Sequence, residues 1–432
     1  MYIVHEIFLG MENILTISFI PFFLVMVLAE YLYLKKKKKE QLYRLNDAIT
    51  NINIGVGHLL TRLFITFILI GSYTFFYEKL APIQLPNNIW TWIACFFLYD
   101  FFFYWAHRWG HEINLFWAAH SVHHQSEDYN LTVALRQSWL HTLFAFVIFL
   151  PVPFMGMPPE IFFIISAISG VYQFWIHTET IQKMPRWFEF IFNTPAHHRV
   201  HHAVNPEYID RNHGATLIIW DRLFGTFAEE TKHPTYGVTK QIHTWNPLWS
   251  NLIYFSDLWK AGKQMKWKDR LVLLFKRPGW MPDYLGGTIP VPEVDETNYI
   301  KYDAAPVSRG LNIYVLVQFI LIIPGLIGYL YYFSVLSPFQ NGLAFSALFL
   351  SLIICGAILE QRSWVKYAEY ARLLLTLVVI NSIYYMSFRE WFMVTMIIST
   401  VLACYFMIWY TMNSWMNFQF LPWLNSTLLR KG

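Results

Sequence analysis

The sequence predicts an all-α, polytopic helical membrane protein with a histidine-rich di-metal cap on the cytoplasmic face, and three observations predict it. Only 14% of the 432 residues are charged, whereas 56% are hydrophobic and 19% aromatic. An ordinary globular domain carries roughly 25% charged residues, so charge this sparse implies lipid-facing surface. Apolar runs long enough to cross a ~30 Å hydrocarbon core recur along the chain. Finally, five of the sixteen histidines fall within residues 107–124, spaced HxxxH and then HxxHH.

The first apolar run, residues 14–34, is expected to span the membrane. No basic segment precedes it and no small-residue cleavage site follows, so a removed signal peptide is not expected. Lys35 to Lys39 come next, and by the positive-inside rule they place that end in the cytoplasm and the N-terminus outside or in a lumen. The net charge of +4 is modest, and because much of the basic charge sits here it points to membrane orientation, not to nucleic acid. A second run, 54–77, crosses back; the uncharged turn 82–88 and a third run, 89–106, return the chain to the histidine side. An apolar hairpin with short arms, 140–153 and 161–176, begins and ends on that side and delivers His177. Residues 179–310 are the most polar part, a cap and tether with a Pro-rich linker. Four further runs follow, at 311–333, 343–359, 373–386 and 391–410; the basic loop 360–372 and the uncharged loop 334–342 agree with the orientation set by the lysines. The expected organisation is therefore N-terminal spans at 1–88, a catalytic region at 89–284, a linker at 285–310 and C-terminal spans at 311–432. Cys95, Cys355 and Cys404 lie in apolar segments without zinc-ribbon spacing, which argues for free thiols.

If 107–124 is helical, His107 and His111 share a face, and His120 faces both His123 and His124. Adjacent His123 and His124 diverge by about 100° around the axis, which suits two different metal ions. His198, His201 and His202 repeat that spacing. Imidazole-rich ligation suits iron, zinc or copper. A lone histidine in an apolar helix is usually structural, but three clusters at ligand spacing are not explained that way. A structural zinc site needs four ligands; eight or nine histidines imply two ions. A bis-histidine haem would use pairs on facing spans, not HxxHH. A histidine-lined metal transporter would set ligands at mid-membrane, whereas these lie at span ends.

The series HxxxH, HxxHH, a single His177 and a second HxxHH resembles the fatty acid hydroxylase superfamily of membrane di-iron enzymes, which includes sterol desaturases, sterol methyl oxidases and fatty acid 2-hydroxylases. The stretches HSVHHQSEDYNLTVALRQS, YQFWIHTE, FNTPAHHRVHH and LIIWDRLFGTFAEE look most like the branch that oxidises alkylglycerols. The likeness covers about 45–284, and the C-terminal spans only by general pattern. It implies two iron ions held by His107, His111, His120, His123, His124, His177, His198, His201 and His202. It also implies a monooxygenase using O2 and tetrahydrobiopterin to hydroxylate the ether-linked carbon of an alkylglycerol, giving a fatty aldehyde and a glycerol derivative. The location it implies is the endoplasmic reticulum membrane, with the site facing the cytoplasm and the substrate drawn from membrane lipid. The alternative within the superfamily is a sterol or fatty acyl hydroxylase or desaturase.

Some relatives carry another histidine where this chain has Gln173, which leaves Gln173 as a direct ligand, a ligand through water, or no ligand. His197 is expected behind the ligands or facing outward. His213 stands as an outer residue at a position usually aromatic in relatives, and His5, His58, His141, His233 and His243 have no assigned role. Carboxylates often orient ligating imidazoles by accepting their other N–H, which makes Glu112, Glu127, Asp128, Glu179 and Asp221 candidates. Glu112, next to a ligand, is also the catalytic candidate, placed to hold a protonated cofactor ring. Asp100 is an intramembrane acid and thus a functional candidate by default, with a helix-end contact or a hydrogen bond to a ligand histidine as its alternatives. Arg136 and Gln137 have two readings, a lipid head-group contact or an ion pair with Glu127 or Asp128.

Overall fold

The structure is a computed structural model; it describes residues 2–296, 298–304 and 307–428, with side chains over 17–296, 298–304 and 307–414. Thr297, Ala305 and Pro306, inside the expected linker, lie outside the described residues, as do Met1 and residues 429–432. No β-strand forms among the described residues, whose order is wholly helical apart from two isolated bridges. Among the described residues seven helices are long and apolar enough to cross a membrane: Ile17–Lys36, Glu40–Leu80, Ile89–Glu112, Arg309–Tyr332, Pro338–Leu359, Val365–Ser387 and Arg389–Ser414. These match the seven runs expected from hydropathy. The chain divides into two compact units, one of 1–11, 20–242 and 248–302, the other of 12–19, 243–247 and 303–432.

The helices that build the first unit are α1 (Tyr2–Lys36), α2 (Leu45–Leu80), α3 (Ile89–Glu112), α4 (Asn114–His124), α5 (His141–Phe149), α6 (Pro159–Trp175), α7 (Pro195–His201), α8 (Pro247–Lys263) and α9 (Trp267–Phe275). Lysines in the last turn of α1 complement the negative end of its dipole. The Asn88 side chain caps α3 by accepting from the backbone of Trp90 and Thr91, both at 3.0 Å. An aromatic core of Tyr73, Cys95, Tyr99, Phe149, Ile161 and Phe162 packs α2 and α3 against the hairpin. At the hairpin tip Gly156 adopts φ +80° and its carbonyl accepts from Leu85 at 3.0 Å. A Cβ there would stand 2.4 Å from the Ile83 carbonyl oxygen, so the tip can meet the 82–88 turn only as glycine. The hairpin arms are short, as expected, yet the tip touches the turn that opens α3.

One expectation needs correction. Residues 107–124 are not one helix: Ile113 is extended at φ −122°, ψ 122°, and the two histidine motifs ride on α3 and α4. Asn114 fixes the break. Its backbone N–H donates to Lys276 O at 2.9 Å, its side-chain amide donates to Leu273 O at 2.9 Å, and its Oδ1 accepts from Tyr254 at 2.6 Å. The bend folds α4 back along α3 so closely that a Cβ on Gly110 would lie 3.3 Å from His120 Cγ.

The second unit is a bundle of α10 (Arg309–Tyr332), α11 (Pro338–Leu359), α12 (Val365–Ser387) and α13 (Phe392–Leu428), packed in chain order. Ser337 and Gln340 form a reciprocal capping box at the start of α11. Inside the bundle Glu369 and Arg372 pair at 2.6 Å, with Tyr314, Gln318 and Ser351 bonded to them.

Candidate metal centre

The bend at Ile113 and the return through the hairpin gather nine buried histidines into two groups. His107 and His111 from α3, His120 and His124 from α4, and His201 from α7 form the first; His123 from α4, His177 just after α6, His198 from α7 and His202 just past its end form the second. Within each group one ring nitrogen of every member lies within 4.8 Å of the others. Adjacent His123 and His124 fall into different groups, as do His201 and His202, because neighbours on a helix point about 100° apart.

The close contacts within the groups run nitrogen to nitrogen. His120 Nε2 and His124 Nε2 are 3.1 Å apart, His123 Nε2 and His177 Nε2 3.1 Å, His177 Nε2 and His198 Nε2 2.9 Å, and His198 Nε2 and His202 Nε2 3.2 Å. Nitrogens about 2.0–2.1 Å from one shared ion are separated by about 2.8–3.0 Å at right-angle coordination and about 3.3–3.4 Å at tetrahedral coordination. The observed spacings fall across that range. The Nε2 atoms of His107, His111 and His201 are buried and have no hydrogen-bond partner, an arrangement that is costly without an acceptor or an ion. Burial, then the charge of neighbouring imidazoles, holds His120, His124, His198, His201 and His202 well below the usual imidazole range. His123 behaves likewise through burial and His177, and burial pushes His177 down to about 4. Neutral imidazoles keep a lone pair for a cation at physiological pH. The donor set fits two divalent first-row ions.

The orienting partners differ from the expectation, because backbone carbonyls do most of the work assigned to carboxylates. Nδ1 of His107 lies 2.7 Å from His213 O, that of His123 3.0 Å from Arg136 O, that of His177 2.7 Å from Gln173 O and that of His201 2.9 Å from Arg211 O. Donating Nδ1–H to a carbonyl leaves the Nε2 lone pair free for an ion. His111 alone leans on a carboxylate, Asp210, at 3.5 Å.

The expected acids support the site from a distance. Asp221 accepts from the backbone N–H groups of His213 and Gly214, each at 2.7 Å, and burial pushes its carboxyl up to about 6. Asp100 accepts from Thr216 and Leu217 backbone and from the Trp220 indole, so it closes a loop and touches no ligand histidine. Glu127 and Asp128 pair with Arg44, and Asp128 also with Lys301 at 2.7 Å. Glu179 accepts from Tyr236. Glu112 faces Arg108 at 3.2 Å and Arg277 at 2.8 Å and belongs to neither histidine group.

Arg136 resolves differently from its sequence readings, whereas Gln173 and His197 each take one of the places left open for them. Arg136 is neither a head-group contact nor paired with Glu127 or Asp128. It is buried and donates to Val122 O at 2.7 Å, Asn51 at 2.9 Å and Gln125 at 2.8 Å; burial lowers its guanidinium to about 10. Gln173 turns its side-chain amide onto Ser169 at 3.2 Å and serves His177 through its carbonyl. His197 is buried beside Phe227 and outside both groups.

Two contributors went unassigned from sequence. His141 stands 5.3 Å, ring to ring, from His120, and no spacing rule links them. Glu30, buried in α1, accepts from Tyr43, from Thr178 and from the Leu131 backbone at 2.8 Å, so it ties the segment after His177 to α1. An acid inside the first apolar run was the signal that could have found it.

Residues 92–226 match the family model for fatty acid hydroxylase. The chain is 36% identical over 364 residues to alkylglycerol monooxygenase of Xenopus tropicalis, covering 82% of this chain and 80% of that one. It is 36% identical over 361 residues to alkylglycerol monooxygenase of Homo sapiens, covering 83% and 80%. A more distant likeness, 26% over 182 residues and covering 40% and 56%, is to lathosterol oxidase of Rattus norvegicus. No solved structure matches the chain.

Proposed function

The chain belongs to the alkylglycerol monooxygenase family of membrane hydroxylases, and on that premise we propose that it oxidises the ether-linked carbon of alkylglycerols with O2 and tetrahydrobiopterin. The observation that carries this reading is the gathering of nine buried imidazoles into groups of five and four, nitrogen facing nitrogen, in a chain alike to those relatives along four-fifths of their length. His107, His111, His120, His124 and His201 hold one iron ion; His123, His177, His198 and His202 hold the other. Bound there, the iron pair supplies the activation of O2 and the insertion of one oxygen atom into a C–H bond.

The rest is the work of the chain. Carbonyls of Arg136, Gln173, Arg211 and His213 take the Nδ1 protons and hold the rings in one orientation. The apolar helices keep water from the site and hold the alkyl chain beside it. Hydroxylation at the ether carbon gives a hemiacetal, which separates into a fatty aldehyde and glycerol. A lipid of this kind partitions into the bilayer, whereas the pterin is soluble; the lysines that close α1 favour a site facing the cytoplasm, and ether-lipid chemistry favours the endoplasmic reticulum.

The test supplies labelled alkylglycerol, tetrahydrobiopterin and O2 to membranes carrying the protein and measures labelled aldehyde, with iron analysis of the purified chain. Pterin-dependent aldehyde and two irons per chain are expected. Oxidation of a sterol or a fatty acyl chain with no aldehyde from alkylglycerol would overturn the substrate assignment.

A further inference from the structure

The five-histidine group has a sixth imidazole at its edge. His213 is 0% exposed, and neither of its ring nitrogens has a hydrogen-bond partner. Its ring centroid lies 5.1 Å from that of His111, 5.5 Å from His201 and 5.7 Å from His107. Those distances fall within the range inside the group itself, from 4.3 Å for His107 and His201 to 6.4 Å for His120 and His201. Yet His213 does not share the mutual approach of nitrogens that defines the five. The ring cannot drift away, because its backbone is tied at both ends: its N–H donates to Asp221 at 2.7 Å, and its carbonyl accepts from His107 Nδ1 at 2.7 Å. The other polar groups facing the ring are the Asp210 backbone, near one ring nitrogen without closing a hydrogen bond of ordinary geometry, the Asp210 carboxylate and the Arg108 guanidinium.

A fully buried imidazole with both nitrogens unpaired is rare enough to require an explanation. An ion held by these five imidazoles would, if six-coordinate, have one position left for a small ligand. The geometry points to His213 as a hydrogen-bond donor over that open position, a residue that steadies a small anionic ligand on the ion without binding the ion. This rests on the metal-centre reading above and adds to it a residue outside the nine.

The experiment uses the iron-loaded, full-length protein and azide as the probe, with iron content and azide affinity read separately, the latter by absorption titration. His213→Phe is expected to keep two irons per chain and to weaken azide binding about tenfold or more, the effect of losing one hydrogen bond to a charged group. His213→Gln, which retains an N–H donor, is expected to stay within about threefold of the parent. Unchanged azide affinity in His213→Phe overturns the proposal, and so does loss of iron from that variant, which would make His213 a ligand. If only the Gln variant can be recovered, retained affinity supports the proposal and a tenfold loss overturns it. A parent chain that binds no iron would sink the metal-centre reading itself, a result distinct from all of these.

Discussion

Two of the buried sets of polar side chains in this molecule are satisfied in opposite ways. In the C-terminal bundle Arg372 donates to Glu369 at 2.6 and 2.7 Å, to Gln318 at 2.9 Å and to Ser351 at 3.4 Å, while Tyr314 donates to Glu369. Charge there meets opposite charge, and every hydrogen bond runs from donor to acceptor, with the Gln318 Nε2 left over. In the first unit the buried imidazoles turn like atoms toward one another, Nε2 to Nε2 at 2.9–3.2 Å, and leave others without any partner. Burial of polar groups is expensive in both places. The first arrangement neutralises its own charge within a structural tie; the second needs a cation to be worth its cost. Intramembrane charge is thus a weak sign of chemistry unless its partners are missing.

The comparison can be tested at four strengths. Replacing one histidine of the second group, His123→Ala or His198→Ala, should remove one iron per chain and lower turnover by more than about 100-fold, beyond what loss of an outer partner costs; full turnover with both irons present would end the metal assignment. In the bundle, Glu369→Leu strands the buried Arg372 and should cost about 3–5 kcal/mol of stability, whereas Glu369→Leu with Arg372→Leu should recover most of it. Thermal unfolding reads the difference. Iron content and turnover of the folded double variant should match the parent, and a loss of either would deny the bundle its purely structural role.

Between these lies Arg136→Gln, which removes donors to Val122 O, Asn51 and Gln125 and loosens the carbonyl on His123. Iron affinity should fall about 10–100-fold, measured by competition with a chelator; an unchanged affinity would show that the carbonyl holds its place without the guanidinium. The smallest effect is on pH dependence in the metal-free chain. Burial holds His120, His123, His124, His177, His198, His201 and His202 below the ~6.5 of an unfolded chain, so as pH falls through that value the unfolded state takes up protons that the folded state refuses. Stability should therefore drop from about pH 6.5 toward about pH 4, where His177 titrates. A chelated chain whose melting temperature is flat across that window would contradict it.

Composition and residue spacing determined that the molecule is a helical membrane protein and where the seven long apolar helices of the described residues fall; spacing singled out the histidine clusters, and the family likeness completed the nine. Hydrophobicity and the 100° step of a helix are local properties, and both are written in the order of residues. That same step separated His123 from His124 before any fold was known. Tertiary structure decided what spacing cannot reach. The break at Ile113 depends on Asn114 reaching α8 and α9, which lie about 140 to 160 residues away in the chain. The choice of carbonyls over carboxylates as orienting partners depends on where loops such as 211–213 come to rest, and a carbonyl leaves no mark in the sequence because every residue has one. Arg136 kept two readings, a head-group contact or an ion pair with Glu127 or Asp128, since nothing local says that Asn51 and Gln125 will surround it. His213, with no ligand spacing, gained its place only when Asp100 and Asp221 folded its loop against α3.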